Sequence, residues 1–169
     1  MKTSKAELFS PDFIVGLSLF LIAMTIFGLY YTAIQSDVGG YKTRNEMQNK
    51  ANNIANLLVT SSGEPKYWNY TNVRVIGLYD SGLINLTKFE ELNKTEYYTT
   101  KKMLGVGGYE LYIELRNETN HLLKNDSLSY VFGKKKDKDV LQVSYVERYG
   151  LTNLNGNITK TIIGVVIWL

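Results

Sequence analysis

From Phe13 to Ile34 the chain carries an unbroken apolar run with no charged residue, entered through Ser10-Pro11-Asp12, and this run constrains the fold more than anything that follows it. At a rise of 1.5 Å per residue, about 22 residues of helix reach roughly 33 Å, enough to cross a hydrocarbon core about 30 Å thick. A secretory signal has a shorter apolar region followed by small residues for cleavage. No Ala-x-Ala-like site follows Ile34, so the helix is expected to stay in the mature protein. Lys2 and Lys5 precede the span, Asp37 follows it directly, and Lys42 and Arg44 come later, a bias that favours a cytoplasmic N-terminus.

A second signal agrees with that orientation. Asn-x-Ser/Thr triplets begin at Asn69, Asn85, Asn93, Asn117, Asn125 and Asn157, all on the C-terminal side of the span. Chance would supply about two such triplets in a chain this rich in Asn, Ser and Thr, so the excess favours a glycosylated exterior; the competing reading is accidental sequons.

The expected organisation is a leader and cytoplasmic segment over 1–12, a transmembrane helix over 13–34, an amphipathic extension over 35–60 and an extracellular β-rich head over 61–169. Ser10 can cap the helix, Pro11 suits its first position and Asp12 places negative charge at the positive end of the dipole. Gly39-Gly40 predicts a kink or short break after the span. Beyond it Met47, Ala51, Ile54, Ala55 and Leu58 recur at helical spacing with polar residues between, one stripe free to pack on a sheet, and Ser61-Ser62-Gly63-Glu64-Pro65 ends the helix.

In the head, Val73, Val75 and Leu78 predict a short strand, and Thr87–Leu92 and Glu96–Leu104 predict two short helices, the second closed by Gly105. Tyr109 to Arg116 alternates apolar and polar residues strictly, Leu128–Phe132 and Val140–Tyr149 read as strands around a Lys134–Asp139 loop, and Asn153-Leu154-Asn155-Gly156 turns the chain into Ile158–Trp168. That last strand is apolar on both faces, which places it at the centre of a sheet or under a helix. The expected fold is α+β: a long hydrophobic N-terminal helix packed on an antiparallel sheet of about four or five strands.

The chain has 169 residues, no cysteine, a single histidine, thirteen tyrosines and a formal charge of +3. No disulfide, thiol chemistry or cysteine metal site is available, and His121 alone builds neither a dyad nor a zinc site. Glu90-Glu91 and Asp137-Lys138-Asp139 lack calcium-loop spacing, and Gly105-Val106-Gly107-Gly108 lacks the Lys-Ser/Thr of a phosphate loop. Lys134-Lys135-Lys136 reads as a solvated hairpin tip, so no nucleic acid is expected, nor a cofactor or catalysis. Trp68 and Trp168 read as packing residues, and the tyrosines suit half-buried sheet positions and protein interfaces.

Helix anchor, kink, amphipathic extension and sheet, in that order, resemble the type IV pilin-like proteins of archaea. Lys5-Ala6-Glu7-Leu8-Phe9-Ser10-Pro11-Asp12-Phe13 is similar to the segment joining leader and hydrophobic helix in class III prepilins. Gly63-Glu64-Pro65-Lys66-Tyr67-Trp68, Val73 through Ile76-Gly77-Leu78, Lys88 and Met103-Leu104-Gly105 are similar to scattered positions in archaeal pilin-like proteins of this size. The resemblance implies a pilin-like fold, processing by a prepilin peptidase in the region of Ala6, Glu7 and Leu8, and assembly with other pilin subunits through the helix, with Asp12 pairing with a neighbour's N-terminal amine beside Phe13. A cut after Ala6 leaves Asp12 at the sixth mature position where the pattern expects the fifth; a cut after Glu7 restores the count at an unfavourable residue. That departure points to a minor pilin or pseudopilin. The expectation is therefore a structural subunit held in the cell membrane and carried into an extracellular filament, and the alternative is a single-pass membrane protein whose extracellular recognition domain never polymerises.

Overall fold

The computed structural model describes residues 11–125, 128–137 and 139–169. They fall into two units that divide between Thr43 and Arg44. Helix α1 (Pro11–Thr60) contributes to both, and its backbone is helical through Gly39 and Gly40, so the expected break is absent. Each glycine costs a helix only about 1 kcal/mol and still donates its backbone hydrogen bond, too little to interrupt a long cooperative helix.

The second unit is α+β. After α1 come β1 (Tyr79–Asp80), β2 (Leu83–Ile84), α2 (Leu86–Lys94), α3 (Tyr97–Met103), β3 (Glu110–Asn117), β4 (Lys124–Asn125), β5 (Leu128–Ser129), β6 (Val131–Gly133), β7 (Val143–Leu154) and β8 (Asn157–Trp168). Six strands form one curled sheet in the order β1-β2-β7-β8-β3-β6, and β4 and β5 form a separate pair. The sheet is mixed, since β2 meets β7 in parallel at Ile84 and Thr152 while its other pairs are antiparallel, which corrects the wholly antiparallel expectation. β8 lies between β7 and β3, the central place its two apolar faces require.

The core forms where the helical stripe meets the inner face of the sheet. Met47, Ala51, Ile54, Ala55 and Leu58 are buried in one cluster with Leu111, Ile113 and Leu115 of β3 and Ile163, Val165 and Ile167 of β8. A polar stripe beside them is used as well: the Ser144 hydroxyl donates to Gln48 at 2.7 Å, and Arg148 donates to Asn56 at 2.7 Å and Asn52 at 2.9 Å. Registry between helix and sheet is thereby set by hydrogen bonds that flank an apolar seam.

The predicted strand Val73–Leu78 is a different structure. Val75 bridges only to Glu64, and the N–H groups of Leu78 and Tyr79 donate to the carbonyls of Leu58 and Ser61 at 3.1 and 3.0 Å. Orphan carbonyls at the end of α1 claim the donors that a strand would have used. The expected strand Leu128–Phe132 is likewise split at Tyr130, whose ring is 1% exposed and meets Phe89 edge-on at 5.9 Å, while its hydroxyl donates to Glu90 at 3.2 Å.

The helices α2 and α3 form where the sequence placed them. Asn85 caps α2 by accepting from the Lys88 N–H, Glu96 caps α3 by accepting from Tyr98 and Thr99, and Gly105 ends α3 at φ +72°. Gly133 ends β6 at φ +92°, where an added Cβ would lie 2.2 Å from the Leu111 carbonyl oxygen.

Two substitutions test this packing in detergent-solubilised protein, followed through the buried Trp68 and Trp168 during chemical unfolding. Leu58→Ala, at a fully buried position, is expected to lose about 2–5 kcal/mol of stability, and Leu19→Ala in the exposed first unit to leave the transition unchanged. Gly133→Ala is expected to destabilise because the strained backbone and the Leu111 carbonyl leave no room for a methyl group.

Candidate interaction surfaces

The segment Pro11–Ile34 is long and apolar enough to cross a membrane, and all of it is exposed on the chain. Its few polar groups are satisfied locally. Ser18 donates to the Ile14 carbonyl at 2.8 Å, Thr25 to Leu21 at 2.8 Å, and Thr32 to Leu29 at 2.9 Å. In hydrocarbon an unpaired hydroxyl costs several kcal/mol on transfer scales, about the cost these back-bonds avoid. The three hydroxyls are spaced by seven residues and so share one side of the helix, a pattern present in the sequence that composition alone passes over. Phe27 and Tyr31 stack at 6.4 Å near the C-terminal end, with Tyr30 71% exposed beside them, the aromatic type that settles at a membrane interface.

Asp12 stands in the first turn of α1 as expected, with Phe13 exposed next to it. The leader positions Ala6, Glu7 and Leu8 and the cap at Ser10 lie outside the described residues. Gly16 and Gly28 face open space, with nothing within 4 Å of an added Cβ.

The second surface is the sheet face turned away from the helix. Alternation along β7 brings Val143, Tyr145, Glu147, Tyr149 and Leu151 to it, and pairing places Trp168, Val166, Gly164 and Ile162 of β8 beside them, then Glu110, Tyr112, Glu114 and Arg116 of β3. Tyr145, Tyr149 and Leu151 are exposed, and Tyr112, Ile162 and Val166 half-buried. Charge on this face is organised around one arginine: Arg116 contacts Glu114 at 3.2 Å, reaches across β8 to Glu147 at 2.6 Å and lies 5.5 Å from the Tyr145 ring centroid. Gly164 is what allows the crossing, because a Cβ there would sit 3.1 Å from the guanidinium. Sequence periodicity marks the face, but only the β3–β8–β7 register reveals that Arg116, Gly164 and Glu147 fall in one place.

A third cluster joins α3 to β3 and the lysine run. Tyr97 donates to Glu110 at 2.7 Å, and Lys101 and Lys134 each approach the same carboxylate at 3.1 Å while lying over the Tyr97 ring. Lys134 is thus the member of the triple-lysine run with a structural partner, whereas Lys135 and Lys136 are exposed. Desolvation alone would raise the Glu110 pKa, but hydrogen bonds from Tyr97, Lys101 and Lys134 outweigh it and hold the group below the ordinary carboxylate range. Burial raises Tyr97 well above the usual phenol value.

Of the expected glycosylation positions, Asn69, Asn93 and Asn157 are exposed, Asn117 is half-buried at the end of β3, and the Asn125 side chain lies outside the described residues. Asn85 is occupied twice, capping α2 with its Oδ1 and donating from Nδ2 to Asp80 at 3.4 Å, a double role that no triplet motif announces. His121 is an exposed turn residue beside Thr119, and Glu90 and Glu91 hold Tyr130 and the Tyr70 N–H rather than one another. No known protein family, curated protein or solved structure matches the chain.

The Glu110 cluster yields a pH prediction. A carboxylate with a depressed folded pKa contributes stability in full above its unfolded value, about 4.3, and loses that contribution as pH falls through the folded value. Wild type is therefore expected to exceed Glu110→Gln in stability at pH 7, and the gap to close as pH falls below about 4, measured by denaturant unfolding at each pH.

Proposed function

We propose that this protein is a structural subunit of an archaeal type IV pilus-like filament, in the role of a minor pilin or pseudopilin. The reading rests above all on one observation: the apolar, uncovered Pro11–Ile34 segment belongs to the same helix whose later stripe, Met47 to Leu58, is buried in the head. Such a helix has two uses in succession. In the membrane its backbone is satisfied internally and its apolar surface meets lipid. In a filament the same surface meets copies of itself or of a major pilin, and Gly16 and Gly28 permit close approach of the backbones. Asp12, at the end where a processed amine would arrive, supplies a charge for that amine to pair with; a lone carboxylate at the edge of a bilayer gains most from such a partner. The leader would be removed by a prepilin peptidase between Ala6 and Leu8, and the head would project outside the cell.

The tyrosine-bearing outer face of β7, β8 and β3 favours a second reading, a single-pass membrane protein whose head recognises a partner without polymerising. Both readings share the anchor and differ in the fate of the leader.

Intact mass and N-terminal sequencing of the native protein separate them. The pilin reading predicts loss of the first six or seven residues and recovery of the protein with filaments sheared from cells; a retained leader with no filament association contradicts it. In the same assay Gly16→Leu combined with Gly28→Leu is expected to leave the head folded and to reduce filament incorporation by about an order of magnitude or more, since the bulk falls where backbones must meet.

A further inference from the structure

Two of the sequon asparagines stand beside an unpaired strand edge. β3 ends at Asn117, opposite Thr161, whereas β8 extends back to Asn157. From Asn157 to Lys160, β8 pairs with β7 on one side and, among the described residues, with no strand on the other. Exposed edges of this kind offer free backbone donors and acceptors to other chains, and proteins usually cover or charge them. Alongside this one runs a groove lined by Asn117, Glu118, Thr119, Leu151, Ile158 and Lys160. Ile158 is 65% exposed and Leu151 43% exposed, apolar surface at the rim of a sheet with nothing of this chain over it.

The amides are disposed for modification. Asn117 Oδ1 accepts from the Thr119 hydroxyl at 2.8 Å and from the His121 N–H at 2.9 Å, which fixes the amide and leaves Nδ2 without a partner among the described residues. Asn157 is exposed at the strand start, followed by exposed Thr159. Asn85 is the contrary case: half-buried, with both amide atoms used. A glycan on its Nδ2 would break the Asp80 contact and open the start of α2, so chains modified there before folding would not reach this fold, and chains folded first would not present the nitrogen.

We propose that Asn117 and Asn157 carry N-linked glycans that lie over this groove and shield the free edge of β8, and that Asn85 is unmodified. The inference rests on the exterior placement of the head. In the transfer the side-chain amide nitrogen forms a bond to the anomeric carbon of a glycan carried on a polyisoprenyl phosphate or diphosphate. The bond from that carbon to the phosphate oxygen breaks, the lipid phosphate leaves, and the amide proton passes to a base of the membrane transferase. Sugar C–H faces then cover Ile158 and Leu151 while hydroxyls meet the open backbone groups, which removes apolar surface and a pairing edge together.

Glycopeptide mapping of the full-length native protein tests the sites. Added mass is expected on the peptides holding Asn117 and Asn157 and none on that holding Asn85; glycan on Asn85 in folded protein overturns the proposal. Thr119→Ala combined with Thr159→Ala removes both acceptor motifs and keeps both asparagines, and is expected to raise the aggregated fraction of detergent-solubilised protein several-fold. Enzymatic removal of glycan from already folded wild type is expected to do the same, which separates shielding from a failure to fold. Aggregation unchanged by both treatments overturns the shielding role. Protease added outside intact cells distinguishes this inference from the reading beneath it. Bare Asn117 and Asn157 on a head that is digested refutes the glycans and leaves the anchor standing, whereas a head that resists digestion until the membrane is opened refutes the exterior placement itself.

Discussion

The structure depends on the burial of one helical stripe against one face of a sheet. Met47, Ala51, Ile54, Ala55 and Leu58 are all at most 2% exposed, and their partners on β3 and β8 are equally closed to water. Without that seam the inner face of the sheet has no cover and the carbonyls at the end of α1 have no route to Leu78 and Tyr79. The first half of the same helix has no such partner within the chain. Its side chains from Phe13 to Ile34 are as apolar as the core and wholly exposed, which in water costs about 25 cal/mol for each Å² left unburied. A surface of that extent demands another solvent, and lipid or further helices of the same kind are the two that suit it.

β8 carries the second constraint. Its inner residues complete the core, while its outer residues, Ile162, Gly164 and Val166, form the floor on which Arg116 crosses between Glu114 and Glu147. The arginine's charge is thus neutralised on the surface without being buried, and the tyrosines around it keep a large exposed area. A face built in this way is stable in solvent and still offers rings and paired charges to a partner, the composition usual at protein interfaces.

Much of this was legible before any coordinates. The two-sided apolar run of Ile158–Trp168 required a central strand, and strict alternation from Tyr109 to Arg116 required a half-buried one, because each signal is a periodicity that the strand itself enforces. Helix α2 was legible for its pattern, although Asn85 as its cap was not recognised beside its reading as a sequon. The misses have a common cause in contacts between distant residues. Val73–Leu78 has strand composition but spends its donors on the end of α1; Tyr130 breaks a strand because the core beside Phe89 takes its ring; the parallel pairing of Ile84 with Thr152 has no local signature at all. For the candidate surfaces the division is the same. The apolar span was readable as composition, the outer face only as alternation, and the Arg116 crossing not until register was known.

The central claim is that Pro11–Ile34 lives in lipid. Membranes from cells expressing the full-length chain, washed with alkaline carbonate and then with detergent, test it most directly. The account predicts that the protein stays with the membrane through the carbonate wash and is released only by detergent. Release as a soluble full-length monomer without detergent would contradict it.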